Sequence, residues 1–241
     1  MQMQEARWKK TNVYPAIFIL LPDKKESTYM EVFLKLKAKY PKRNPKLIKI
    51  DYEAAVINAS KEAFPNAQVS GCSFHFNQCL WRRIQHIGLA AEYRDDEDIR
   101  KFCKMCAALA YLPPHLVEDA WLFIMADAPK NEKVDKFVDY FVTQWMVNAK
   151  VDIQVWNVND QKHRTNNAVE GWHSKLNHII GKHQPNVHLL IKCLKDEAIK
   201  VSHLIKRRKL GDFGCNRKRQ YVELDERINN ILGDFYETGD P

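Results

Sequence analysis

Residues 46–76 read KLIKIDYEAAVINASKEAFPNAQVSGCSFHF, and the order of elements in them decides the fold class. Lys46 to Ile50 (KLIKI) reads as a strand, Glu53 to Ala63 as a helix, and Ala67 to Phe74 (AQVSGCSF) as a second strand before another helix from about Asn77. Upstream, the apolar run Val13 to Leu21 (VYPAIFILL) reads as one more buried strand. Pro22-Asp23-Lys24-Lys25 then supplies turn chemistry, leading to a helix that begins near Ser27. Strands alternating with helices imply an α/β fold with a mixed or parallel sheet.

Past His86 the pattern changes. Residues 90 to about 150 carry only helical periodicity, interrupted at Pro113-Pro114 and Ala128-Pro129, and read as an all-helical insertion. The cluster Asp95, Asp96, Glu97, Asp98 suits the start of one of its helices, where the dipole favours negative charge. Gln154 to Val158 is a short apolar stretch, Asn159 to Asn167 is polar, and a helix runs from Ala168 to about Ile180. A longer helix follows, with Val187, Leu190, Ile191, Leu194, Ala198, Val201 and Ile205 on one face.

The chain of 241 residues, 45% hydrophobic, can bury a substantial core. It shows no apolar run long enough to span a membrane and no secretory signal at its polar start, so no membrane partner is expected. Its six cysteines suit a reducing compartment rather than a disulfide framework. The formal charge of +8 concentrates in residues 192–220, where ten Lys or Arg stand against Asp196, Glu197 and Asp212, and the rest of the chain is near neutral. Such an excess, carried by Lys200, Lys206, Arg207, Arg208, Lys209, Arg217, Lys218 and Arg219 among others, favours a polyanion such as DNA. A solvated helical face or a nuclear-import signal reads equally well from the same residues.

Three constellations bear on chemistry. Asp51 stands at the carboxyl end of a strand, where α/β sheets place ligands, and immediately before a helix that it could cap. Glu170 follows Asn167 at capping-box spacing, so a second carboxylate beside it is needed before it becomes a metal ligand. Cys72 and His75 form C-x2-H at the expected end of the Ala67–Phe74 strand, a structural or active-site element. With the C-x2-C of Cys103 and Cys106 they number enough to bind zinc. Cys103 and Cys106, however, lie three apart in a segment rich in Phe102, Met105, Ala107 and Leu109 and read as core. No Gly-rich phosphate loop, G-x-S-x-G elbow or metalloprotease helix motif occurs, so nucleotide hydrolysis and acyl transfer have no support in the sequence.

Several stretches together resemble the catalytic domain of Mutator-like element (MULE) transposases. They are YPAIFILLP at 14–22 with Lys24, Ser27-Thr28-Tyr29, Asp51-Tyr52-Glu53, Cys72-Ser73-Phe74-His75-Phe76, Leu109-Ala110-Tyr111-Leu112-Pro113, and Arg164-Thr165-Asn166-Asn167 with Glu170, Trp172 and His173. The resemblance implies an RNase H-like fold interrupted by a helical insertion. Its division of the chain is a partial core over 13–88, the insertion over 89–158, C-terminal helices completing the core over 159–210, and a basic then acidic tail over 211–241. It makes Asp51 and Glu170 the second and third catalytic carboxylates, holding Mg²⁺ or Mn²⁺ for attack on a DNA phosphodiester. The family's first carboxylate, in a motif resembling D-G-T-F on an earlier strand, has no counterpart in the chain. The expectation is therefore a nuclear transposase-like protein without cleavage activity of its own, or a domesticated DNA-binding or interaction protein.

Overall fold

The computed structural model describes residues 13–161, 163–181, 184–211 and 219–238. Its elements run α1 (Glu26–Lys39), β1 (Leu47–Ile50), α2 (Ala54–Ala63), β2 (Gln68–Gly71), α3 (Ser73–His86), α4 (Ala90–Asp95), α5 (Glu97–Ala108), α6 (Val117–Ala126), α7 (Glu132–Phe141), α8 (Ile153–Trp156), α9 (Asn167–Ile180), α10 (Val187–Lys209) and α11 (Arg219–Thr238). The protein is α/β, mostly helical around a parallel pair of strands. The chain divides into two compact units, Leu20–Asn166 and Met1–Ile19 with Asn167–Pro241.

In the first unit β1, α2 and β2 form the βαβ element that residues 46–76 announce. Leu47 pairs with Gln68 and Ile50 with Gly71, so both strands end at the same level and release Asp51 and Cys72 side by side in register. Gly71 is required there because the Tyr52 ring occupies the space where a Cβ would project. Beneath the sheet lies an aromatic core. Phe76 of α3 is fully buried and stacks on Trp156 at 5.2 Å between centroids, and Trp121 stacks on Phe141 at 4.8 Å. Trp145 meets both Tyr52 and Phe76 edge-on, and its carbonyl accepts the Trp156 indole N–H at 2.7 Å. The elements that carry the site are therefore pinned by their neighbours: Ile50 and Tyr52 flank Asp51 and pack on this core, and Phe76 adjoins His75.

Residues 90–146 are helical. Asp96 caps α5, its carboxylate accepting the Ile99 N–H at 3.0 Å, so the acidic cluster ends as a helix start. Cys103 and Cys106 are buried in the core, where burial pushes their thiols up, Cys103 to about 12.

Two expectations are corrected. Val13 to Leu21 is not a strand: it joins no ladder, and Val13, Ile17, Ile19 and Leu20 are exposed. An apolar run becomes a strand only where a neighbour supplies hydrogen bonds, and among the described residues the sheet consists of β1 and β2. Its Phe18 stacks on Trp172 instead, at 5.1 Å. The second strand ends at Gly71, and α3 begins at Ser73 rather than near Asn77, because β1 offers no partner past Ile50. In α10 the apolar face is uncovered over much of its length: Val187, Ile191 and Ile205 are exposed, and the buried residues are Val201 and Glu197. Glu197 tolerates burial because Lys175 of α9 donates to its carboxylate at 2.8 Å, which holds it below the usual carboxylate range.

Candidate functional site

At the carboxyl ends of β1 and β2 three side chains meet within the first unit. The Asp51 Oδ1 accepts the Asn166 side-chain amide at 2.7 Å and lies 2.9 Å from the His75 Nδ1. The carboxylate is about half exposed (55%) while His75 is 22% exposed, so the oxygen atoms face solvent from a fixed mount. Asp51 does not cap α2, whose N-cap position is Glu53. Glu53 in turn accepts the Tyr29 hydroxyl at 3.1 Å and stands 3.6 Å from the Lys24 ammonium.

Cys72 and His75, expected together at a strand end, part company. Cys72 is the N-cap residue of α3 and is fully buried, and its Sγ accepts the backbone N–H of Asn166 at 3.4 Å. His75 stands one turn later, on Asp51. Next to Cys72, the Ser73 N–H donates to the Arg164 carbonyl at 2.9 Å. The thiol thus helps clip residues 164–166 onto the start of α3, and among the described residues no convergent group of three His, Cys, Asp or Glu includes a cysteine. A four-ligand zinc site built from Cys72, His75, Cys103 and Cys106 has no support, since Cys72 and His75 have different neighbours and Cys103 and Cys106 are core.

A second clip sits two residues earlier on the strands. The Lys49 ammonium donates to Ser70 Oγ at 2.8 Å, to the Gly71 carbonyl at 2.9 Å and to the Gln161 amide oxygen. Gln161 also donates to the Asn157 carbonyl, and Asn157 donates to the Leu112 carbonyl at 2.7 Å, so residues 157–161 are tied to the helical region at one end and to the sheet at the other. Burial pulls the Lys49 amine down to about 8, partly offset by the neighbouring Cys72. Asn166 and Lys49 are the two site residues to which the sequence reading assigned no role. A lysine inside an otherwise apolar strand was the available signal for Lys49; nothing local marked Asn166 as the partner of Asp51, 115 residues earlier.

Residues 7–79 match the MULE transposase domain. The matched stretch is 73 of the 241 residues and contains Asp51, Cys72 and His75, and over it the chain is MULE transposase-like. No curated protein and no solved structure matches the chain.

The remaining candidate residues of this MULE transposase-like chain lie beyond the match. Glu170 is in the first turn of α9. The capping-box reading needed Asn167 as the N-cap, whereas Asn167 is already the first helical residue. Lys206, Arg207, Arg208 and Lys209 form the last turn of α10, where the helix dipole favours cations, and all but the half-buried Arg208 are exposed. Lys200 is exposed and lies 3.9 Å from Glu197, and Arg219 is bonded to Glu223 at 2.6 Å. Arg217 and Lys218 lie outside the described residues. No described helix is long and apolar enough to cross a membrane.

Proposed function

We propose that this MULE transposase-like chain is a DNA-binding relative of the transposition enzymes, built on an RNase H-like core, in which Asp51 and Glu170 are oxygen ligands for Mg²⁺ or Mn²⁺. The observation that carries the reading is the Asp51 carboxylate, inside the matched stretch, at a strand's carboxyl end and aimed at solvent by two side-chain partners. A capping aspartate would have turned to backbone N–H groups; this one is held as metal-binding carboxylates are, by a neighbour's hydrogen bond, here from Asn166, with the His75 imidazole alongside. A hard, partly exposed oxygen donor fits Mg²⁺, and the adjoining His75 imidazole additionally suits Mn²⁺. Bound there, a divalent ion would withdraw charge from a phosphodiester oxygen. The protein's own part is to hold the ligand: Asn166 and His75 orient Asp51, and the Lys49–Gln161 and Cys72–Asn166 clips hold Asn166 in place.

Titration of the chain with Mn²⁺, followed by the ion's electron paramagnetic signal, tests this. Asp51→Asn and Glu170→Gln are each expected to weaken binding at least about tenfold; unchanged affinity in both variants defeats the assignment. The sequence holds no stretch resembling D-G-T-F, so the same reading expects no Mg²⁺-dependent DNA cleavage by these 241 residues. Cleavage abolished by Asp51→Ala would overturn that half. Nuclear localisation is part of the proposal, on the strength of Lys206–Lys209 and Arg217–Arg219; a fluorescent fusion excluded from nuclei would remove it.

A further inference from the structure

The near-neutral charge outside residues 192–220 conceals a second basic segment. Residues 35–49 hold seven Lys or Arg (Lys35, Lys37, Lys39, Lys42, Arg43, Lys46, Lys49) and no Asp or Glu. The structure sorts them. Lys35 pairs with Glu31, Lys37 donates to the Ala63 carbonyl and lies over the Phe64 ring, and the half-buried Lys49 bonds Ser70, Gly71 and Gln161. Lys39 ends α1, where the dipole favours a cation, with its ammonium 5.8 Å from the Tyr40 ring. Lys42, Arg43 and Lys46 lie beyond that helix end, are exposed, and make no side-chain hydrogen bond or ion pair among the described residues. Of the acids on the packed helices, Glu31 is committed to Lys35, and Glu62 forms no ion pair with the loop.

We infer that the loop from Tyr40 to Lys46 is a docking surface for the sugar-phosphate backbone of DNA. Three unneutralised cations within five residues repel one another, and a polyanion relieves that repulsion while releasing its own counterions. Pro41 and Pro45 and the turn bond from the Arg43 N–H to the Tyr40 carbonyl restrict the loop before any partner arrives, which lowers the ordering cost of binding. Tyr40, 42% exposed, adds a hydroxyl beside the cations of the kind that contacts phosphate oxygens. The loop leads into β1 at the end opposite Asp51, separated from it by about five residues of strand, roughly 16 Å. That span equals about five phosphates of one DNA strand, so the loop would grip the duplex away from the candidate metal ligand.

This inference rests on the reading that the protein acts on DNA, and the test separates the two. Duplex affinity is measured from 50 to 200 mM salt for the wild type, for K42Q/R43Q/K46Q, and for K206Q/R207Q/R208Q/K209Q. The loop variant is expected to keep the wild-type melting temperature and to flatten the slope of log K against log salt by about 2 to 3, close to 0.9 per lost phosphate contact. A wild-type slope in the loop variant overturns the inference, whatever the α10 variant does; so does an equal loss of affinity for poly-glutamate, which would make the surface a generic acidic-protein contact. A wild type that binds Mn²⁺ through Asp51 but no DNA defeats the loop and leaves the metal reading standing. A flattened slope in a protein blind to Mn²⁺ does the reverse.

Discussion

The unit Leu20–Asn166 and the helices that follow it differ in how side chains are used. In the first, aromatic residues from α3, α6, α7 and α8 and from the turn after α7 interlock, and every strand end and strap near Asp51 is tied to that core. In the second, α10 is the longest helix of the chain, yet its buried residues are one valine and one glutamate. Helical periodicity thus produced packed elements in one place and a largely uncovered one in the other, because a helical stripe states which residues share a face and not what covers it.

The largest test of that contrast is truncation of the core. Phe76→Ala should lower the unfolding free energy of the first unit by about 3–5 kcal/mol, read by urea denaturation, against about 1–2 kcal/mol for Val201→Ala in α10. Equal losses would erase the distinction between the two units. Gly71→Ala comes next, at about 1–3 kcal/mol, since the new methyl meets the Tyr52 ring. Combining it with Tyr52→Ala should cost less than the sum of the single changes, and strict additivity would show that the ring is not the obstacle.

Lys49→Met should cost about 1–3 kcal/mol by stranding the Ser70, Gly71 and Gln161 oxygens, and should broaden the Asn166 side-chain amide signal in NMR spectra. Lys49 also gives a pH signature. Its folded pKa is depressed from 10.5 to about 8, so between those values the unfolded chain binds more protons and stability from this group rises with pH. The methionine variant should lose that rise; an unchanged slope over that window would mean the amine is not buried as described. Smallest of all, Ile191→Ser on α10 should shift stability by less than about 0.5 kcal/mol, and a loss of core size there would mean that the exposed face is covered in solution.

The site was legible in unequal parts. Asp51 could be singled out because a strand ended beside it, but cap and ligand readings shared one local signature; the cap reading fell because Glu53 is the N-cap of α2, and the carboxylate's partners lie 24 and 115 residues away. Cys72 and His75 looked like a pair because they are three apart; once α3 started at Ser73 rather than Asn77, they acquired different neighbours. The loop cations at 42, 43 and 46 were hidden by summation, since a net charge near zero over most of a chain says nothing about where its cations sit.

By itself the sequence determined the βαβ order of residues 46–71, the helical run from 90 onward, the helix start at the acidic cluster 95–98 and the core role of Cys103 and Cys106, all of which follow from local periodicity and capping chemistry. Only the tertiary structure decided that Val13–Leu21 is not a strand, that the α10 face is mostly bare, and that Asn166 and Lys49 govern the surroundings of Asp51. The physical reason is common to all of these: a hydrogen-bond ladder, a covered face and a fixed carboxylate each require a second partner, and the partner's distance along the chain is set by the fold.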